Sequence, residues 1–183
     1  MGLLSRRKQG EKPQAVPKLP REISVATQRG ESVLAAAAED GTQAWMVLTT
    51  YRLLVLGPDS TVQVDRPWHQ VGTGAWDPES GTLSLTWIDS NRAVQWSMRT
   101  ETGPGRIPEV FRERVSASVV RAREIKLGPQ RSARVTVRMV LSTRELVDQV
   151  SWGRGSSNAD QELAAEVDRA RAEVRAEVGL PPV

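Results

Sequence analysis

Cysteine is absent from the 183 residues, and histidine, tyrosine and phenylalanine occur once each. A disulfide scaffold, a thiolate zinc site, an iron–sulfur cluster and a cysteine nucleophile are therefore excluded. A metal centre built on several histidines is excluded too, and no cofactor is expected. Long apolar runs are also missing. The longest, Val33–Ala38, has six residues, against the roughly 20 that a membrane-spanning helix needs. The N-terminus lacks the apolar segment of a signal peptide. A soluble, cytoplasmic protein is the expectation, with peripheral membrane contact as its variant.

Charge of one sign does not dominate either. The chain has 25 Lys plus Arg and 22 Asp plus Glu, a net charge of +3. The excess is segregated along the sequence: residues 1–22 carry +4, 23–100 carry −3, 101–138 carry +5 and 158–183 carry −3. The uniformly basic surface of a dedicated DNA-binding domain is not indicated, and nucleic acid is an unlikely partner. Arginine outnumbers lysine, and alanine and valine are abundant, a bias of GC-rich bacterial genomes.

Residues 1–22 read as a disordered basic tail, interrupted by Pro13, Pro17 and Pro20. From residue 31 to residue 98 the pattern is one of short strands between turn signals: Glu31–Ala38, Gln43–Thr49, Tyr51–Leu56, Thr61–Asp65, Val71–Trp76, Thr82–Ile88 and Arg92–Met98. Leu83, Leu85 and Trp87 alternate strictly, as do Val94, Trp96 and Met98, which predicts a sheet with one wet face. Turns this short favour an antiparallel meander. After Gly103-Pro104-Gly105 an apolar stripe, Ile107, Val110, Phe111, Val115, Val119, Ala122 and Ile125, predicts one amphipathic helix of about five turns, ended by Gly128-Pro129.

Seven antiparallel strands closed by an amphipathic helix is the element order of a pleckstrin-homology (PH)-like barrel. Leu48-Thr49-Thr50-Tyr51-Arg52-Leu53-Leu54-Val55-Leu56 resembles the second-to-third strand signature of bacterial PH-like and GRAM-type domains, where a threonine-rich tight turn and an arginine precede an apolar strand. Asp65, Trp68 and Val71 resemble the strand and connection that follow. The likeness covers residues 30–127 and is also similar to actinobacterial proteins of this size. It implies a mainly β, α+β fold over residues 23–128. It implies no particular ligand, because such barrels bind phosphoinositides, peptides, proteins or nothing known.

Residues 129–183 are expected to add a hairpin and a helix. Val135, Val137 and Met139 alternate, and Ser142-Thr143-Arg144 forms the turn. Asn158 and Gln161 suit a capping box for a helix with the stripe Leu163, Val167, Ala170, Val174 and Val178. Two strands, Gln43–Thr49 and Tyr51–Leu56, are apolar on both faces, so something must cover their outer side. The covering element is either the hairpin and helix at 132–178 or a second subunit.

No nucleophile–base pair is indicated, and the lone His69 reads as structural, so the chain is not expected to be an enzyme. A hydrolase is the remote alternative. The leading expectation is an interaction or scaffolding module that binds a protein partner or self-assembles, with Trp45, Leu54, Leu56, Trp68 and Trp76 as contact candidates. The second is an anionic-membrane or anionic-ligand binder using Arg6, Arg7, Lys8, Arg112 and Arg121. About 1 kcal/mol per basic residue would favour the membrane contact.

Overall fold

The computed structural model describes residues 19–21, 23–90 and 92–182. Arg6, Arg7 and Lys8 lie outside the described residues. Strands β1 (Val33–Ala38), β2 (Trp45–Thr49), β3 (Arg52–Leu56) and β4 (Val62–Pro67) form an antiparallel meander. One 3-10 turn, Trp68–Gln70, leads into β5 (Val71–Asp77), β6 (Thr82–Trp87) and β7 (Ala93–Ser97), a second antiparallel sheet. The seven strands thus make two sheets and not one closed barrel. Pro67 has no amide to extend the ladder, and the 3-10 turn after it carries the chain from one sheet to the other.

The two sheets and a helix share one core. Alternation supplies it: Met46 and Leu48 from β2, Leu53 and Val55 from β3, Leu83 and Leu85 from β6 are all buried. Helix α1 (Ile107–Ser118) adds Ile107, Val110 and Phe111. Its close approach depends on Gly74 in β5, where a Cβ atom would lie 2.4 Å from the Phe111 ring.

The long helix expected to continue to residue 125 ends at Ser118. Val119 turns to extended backbone (φ −86°, ψ 117°), and strand β8 (Val119–Gly128) begins there. The apolar stripe Val119, Ala122, Ile125 fits helical spacing by coincidence. The β-branched pair Val119-Val120 disfavours helix only slightly, and pairing along the whole of β8 with β9 (Arg131–Met139) outweighs that local preference. The sheet therefore crosses the boundary expected at residues 128/129.

β10 (Leu146–Trp152) completes a third antiparallel sheet, in the order β10-β9-β8, and helix α2 (Gln161–Glu177) covers one face of it. Ala133, Val135 and Val137 meet Leu163, Val167, Ala170 and Val174 in a second core, the stripe the sequence predicts for this helix. The expected cap at Asn158 is displaced by two residues: Asp160 accepts from the Leu163 amide at 3.1 Å. Asp160 also receives Arg131, and these bonds hold its carboxyl at about 2.

The outer face of the first sheet is covered by neither expected element. Ala36, Val47, Leu54 and Leu56 pack beneath Leu19, Ile23 and Val25 of the segment preceding β1. Leu54 and Leu56 are 3 % and 2 % exposed. Burying one such side chain contributes roughly 1.5–3 kcal/mol, so a few strap residues suffice.

That strap is held by a polar clamp. The Glu31 side chain, wholly buried, receives Arg52 Nε at 2.9 Å, the Thr49 hydroxyl at 2.6 Å and the Gln28 amide at 2.7 Å. Arg52 also donates to the Ala26 carbonyl at 2.6 Å and pairs with Asp65 at 2.5 Å. Arg52 and Thr49 of the turn signature are thereby accounted for as structural fasteners.

Candidate functional site

The third sheet has a second face, which is polar. Strand alternation sends Val135 and Val137 toward α2 and Arg134, Thr136 and Arg138 the other way. Gln149 of β10 lies directly opposite Thr136. This face looks across a groove of about 1030 Å³ at β5 and β6, whose wall includes Thr73, Thr86 and Trp87. The groove is larger than the roughly 300–1,000 Å³ of ordinary small-molecule sites. Four cations, Lys126, Arg134, Arg138 and Arg154, line it against one carboxylate, Glu124. Lys126 and Glu124 pair with each other at 3.0 Å.

Arg138 is the unusual member. It is 5 % exposed. One terminal nitrogen donates to the Ser118 hydroxyl at 2.7 Å and the other to the Val71 carbonyl at 2.7 Å. Its Nε is buried without a hydrogen-bond partner. Among the described residues it has no carboxylate partner, and Arg134 adds a like charge. Burial, reinforced by that neighbour, pushes its pKa below the usual value.

Two further polar atoms are orphaned around it. Gln149 Nε2 donates to the His69 carbonyl at 2.9 Å, which leaves Gln149 Oε1 buried and unpartnered. His69 Nδ1 is likewise buried without a partner. Burial and the Arg138 charge lower the His69 pKa. Buried polar groups normally find partners, so three orphans around a buried, uncompensated cation are exceptional.

The residues singled out from the sequence fall elsewhere. Leu54, Leu56 and Trp68 are buried within the chain's own packing and are not open to a partner. Trp68 donates its indole N–H to the Thr49 carbonyl at 3.0 Å and meets Phe111 edge-on at 6.1 Å. Trp45 is half-buried against the strap, in the wall of a 320 Å³ recess with Pro20 and Ile23. Trp76 is half-buried at the margin of the first core. Arg112 is exposed on α1. Arg121 is in a strand, not on a helix, and pairs with Glu177 of α2, while the adjacent Arg123 pairs with Glu173 and Glu177. Two arginines of the basic stretch are thus paired with the acidic last helix.

Sequence reasoning missed the groove face. The signal was present in the alternation of Val135, Val137 and Met139, which leaves Arg134, Thr136 and Arg138 together on the opposite side. What alternation could not reveal is that this side turns back toward β5 and β6.

No family model matches the chain, and no curated protein matches it. Among solved structures, the FERM and C-terminal domain complex of Drosophila Merlin is similar at a TM-score of 0.34 and 12 % identity, over 48 % of this chain and 28 % of that one. The chain spans less than a third of that protein's length, and a likeness of this size carries nothing about function. Among the described residues no helix is long and apolar enough to cross a membrane, and no group of three or more His, Asp or Glu side chains could hold a metal ion.

Proposed function

We propose that this chain is a non-catalytic interaction module of PH-like construction that seats an acidic, extended segment of a protein partner in the groove between the third sheet and β5–β6. The observation that carries this reading is the charge of the groove: four cations and one carboxylate, with Arg138 uncompensated. Its other polar side chains are mostly hydroxyls and amides, which suits holding a chain rather than transforming it. Charge complementarity of this kind sets partner choice and association rate more than raw affinity.

Self-assembly through the doubly apolar strands loses its driving force, because Ile23 and its neighbours already cover them. The lipid reading loses Arg121, which is neutralised by Glu177, and retains the tail as its carrier.

Fluorescence anisotropy with a labelled Glu-rich peptide and its Lys-rich counterpart tests the proposal. The acidic peptide should bind in a salt-dependent way, and Arg134→Glu with Arg154→Glu should abolish binding. Equal binding of both peptides, or acidic-peptide binding that survives the charge reversals, would refute it.

A further inference from the structure

We infer that the floor of this groove is an oxyanion site, in which Arg138 supplies the charge and Arg134 and Thr136 complete the cradle. The inference rests on the groove being a binding surface and adds the chemistry that its occupant must present: a carboxylate or a phosphate group at one fixed point.

Arg138 is buried and charged, yet the described residues offer it only a hydroxyl and a carbonyl. A desolvated cation is costly unless a counter-charge is supplied. Several other buried or half-buried arginines have one. Arg52 has Glu31 and Asp65, Arg175 and Arg171 have Asp148, and Arg131 has Asp160. At Arg138 the neighbours that act on it or are acted on by it are Arg134 and His69, both basic. A negative charge can reach Arg138 from the groove, which it lines.

The strand geometry supports one focal point. Arg134, Thr136 and Arg138 alternate onto the same face of β9, so the hydroxyl of Thr136 lies between the two guanidinium stems. Gln149 stands opposite Thr136 in the neighbouring strand. Gln149 lines the groove, and the half-buried His69 imidazole behind it feels the Arg138 charge. A bound oxyanion would accept from Arg138, Arg134 and Thr136, and its charge would favour a proton on His69.

His69 is the sole histidine, so its ring proton is an unambiguous NMR reporter. The experiment titrates the full chain with inorganic phosphate and, separately, with acetate at constant ionic strength, following the His69 resonance and its pKa. Saturable 1:1 binding of at least one probe is expected, with the His69 pKa moving upward in the complex. Preference for phosphate or acetate identifies the group as tetrahedral or planar. Arg138→Gln should weaken binding by more than tenfold, and Arg134→Gln by several-fold. Absence of saturable binding by both probes overturns the inference. So does binding that is unchanged in the variants. Should Arg138→Gln fail to fold, an unchanged affinity in Arg134→Gln overturns it alone. The probes contain no peptide, so their failure leaves the peptide test of the groove standing, and the reverse also holds.

Discussion

Replacing Glu31 by glutamine removes the charge at the centre of the clamp while keeping its shape. The Glu31 side chain has no exposure, and Arg52 is 13 % exposed. Removing one partner of a buried pair costs about 3–5 kcal/mol. Arg52 would keep Asp65 at 2.5 Å and the Ala26 carbonyl at 2.6 Å, so the lower end, about 3 kcal/mol, applies. Urea unfolding followed by tryptophan fluorescence reads this directly, as a lower midpoint at unchanged slope. The pH dependence gives an independent check. Burial would raise the Glu31 pKa, but bonds from Arg52, Thr49 and the Gln28 amide more than offset it, and the net direction is below the usual 4.5. A carboxyl with a depressed folded-state pKa contributes its full stability above the unfolded value and loses it as pH falls through the folded one. The gap between wild type and Glu31→Gln should therefore be constant from pH 7 to about 5 and shrink below 4.5. A loss under about 0.5 kcal/mol, the size of an ordinary surface change, or a gap that widens toward acid, would refute the clamp.

Three further outcomes are expected. Gly74→Ala sets a methyl 2.4 Å from the Phe111 ring and should cost roughly 1–3 kcal/mol as overpacking, seen in the same unfolding assay; a neutral effect would mean α1 does not pack as described. Ile23→Ala should destabilise by about 2 kcal/mol and raise binding of a hydrophobic dye, because Ala36, Val47, Leu54 and Leu56 lose cover; unchanged stability and dye binding would show that the strap is not the cover. Arg121→Glu should lower thermal stability through repulsion from Glu177 yet leave co-sedimentation with anionic vesicles unaltered, whereas loss of sedimentation would restore Arg121 as a lipid contact.

Alternation made much of the fold readable. Leu83, Leu85 and Trp87 announce a half-buried strand, and so do Val135 and Val137. The error at residues 119–125 arose because a stripe spaced at threes and fours was read without its partner strand, and pairing with β9 is a long-range fact. The same limit applies to the cover of the first sheet. The need for a cover is written in Trp45, Val47, Leu54 and Leu56, but Leu19, Ile23 and Val25 lie in a short proline-bordered segment with too few apolar residues to show a period. The groove follows from two sheets facing one another, which no local pattern encodes. Arg138 resembles any other strand arginine until its burial and its lack of a carboxylate are seen.

Amide shift mapping with a Glu-rich peptide locates the binding surface on the protein. If the groove is that surface, perturbations are confined to Thr73, Thr86, Arg134, Thr136, Gln149 and Ser151. Perturbations centred on the strap and β1–β4, or none at a peptide concentration that saturates anisotropy, would contradict it.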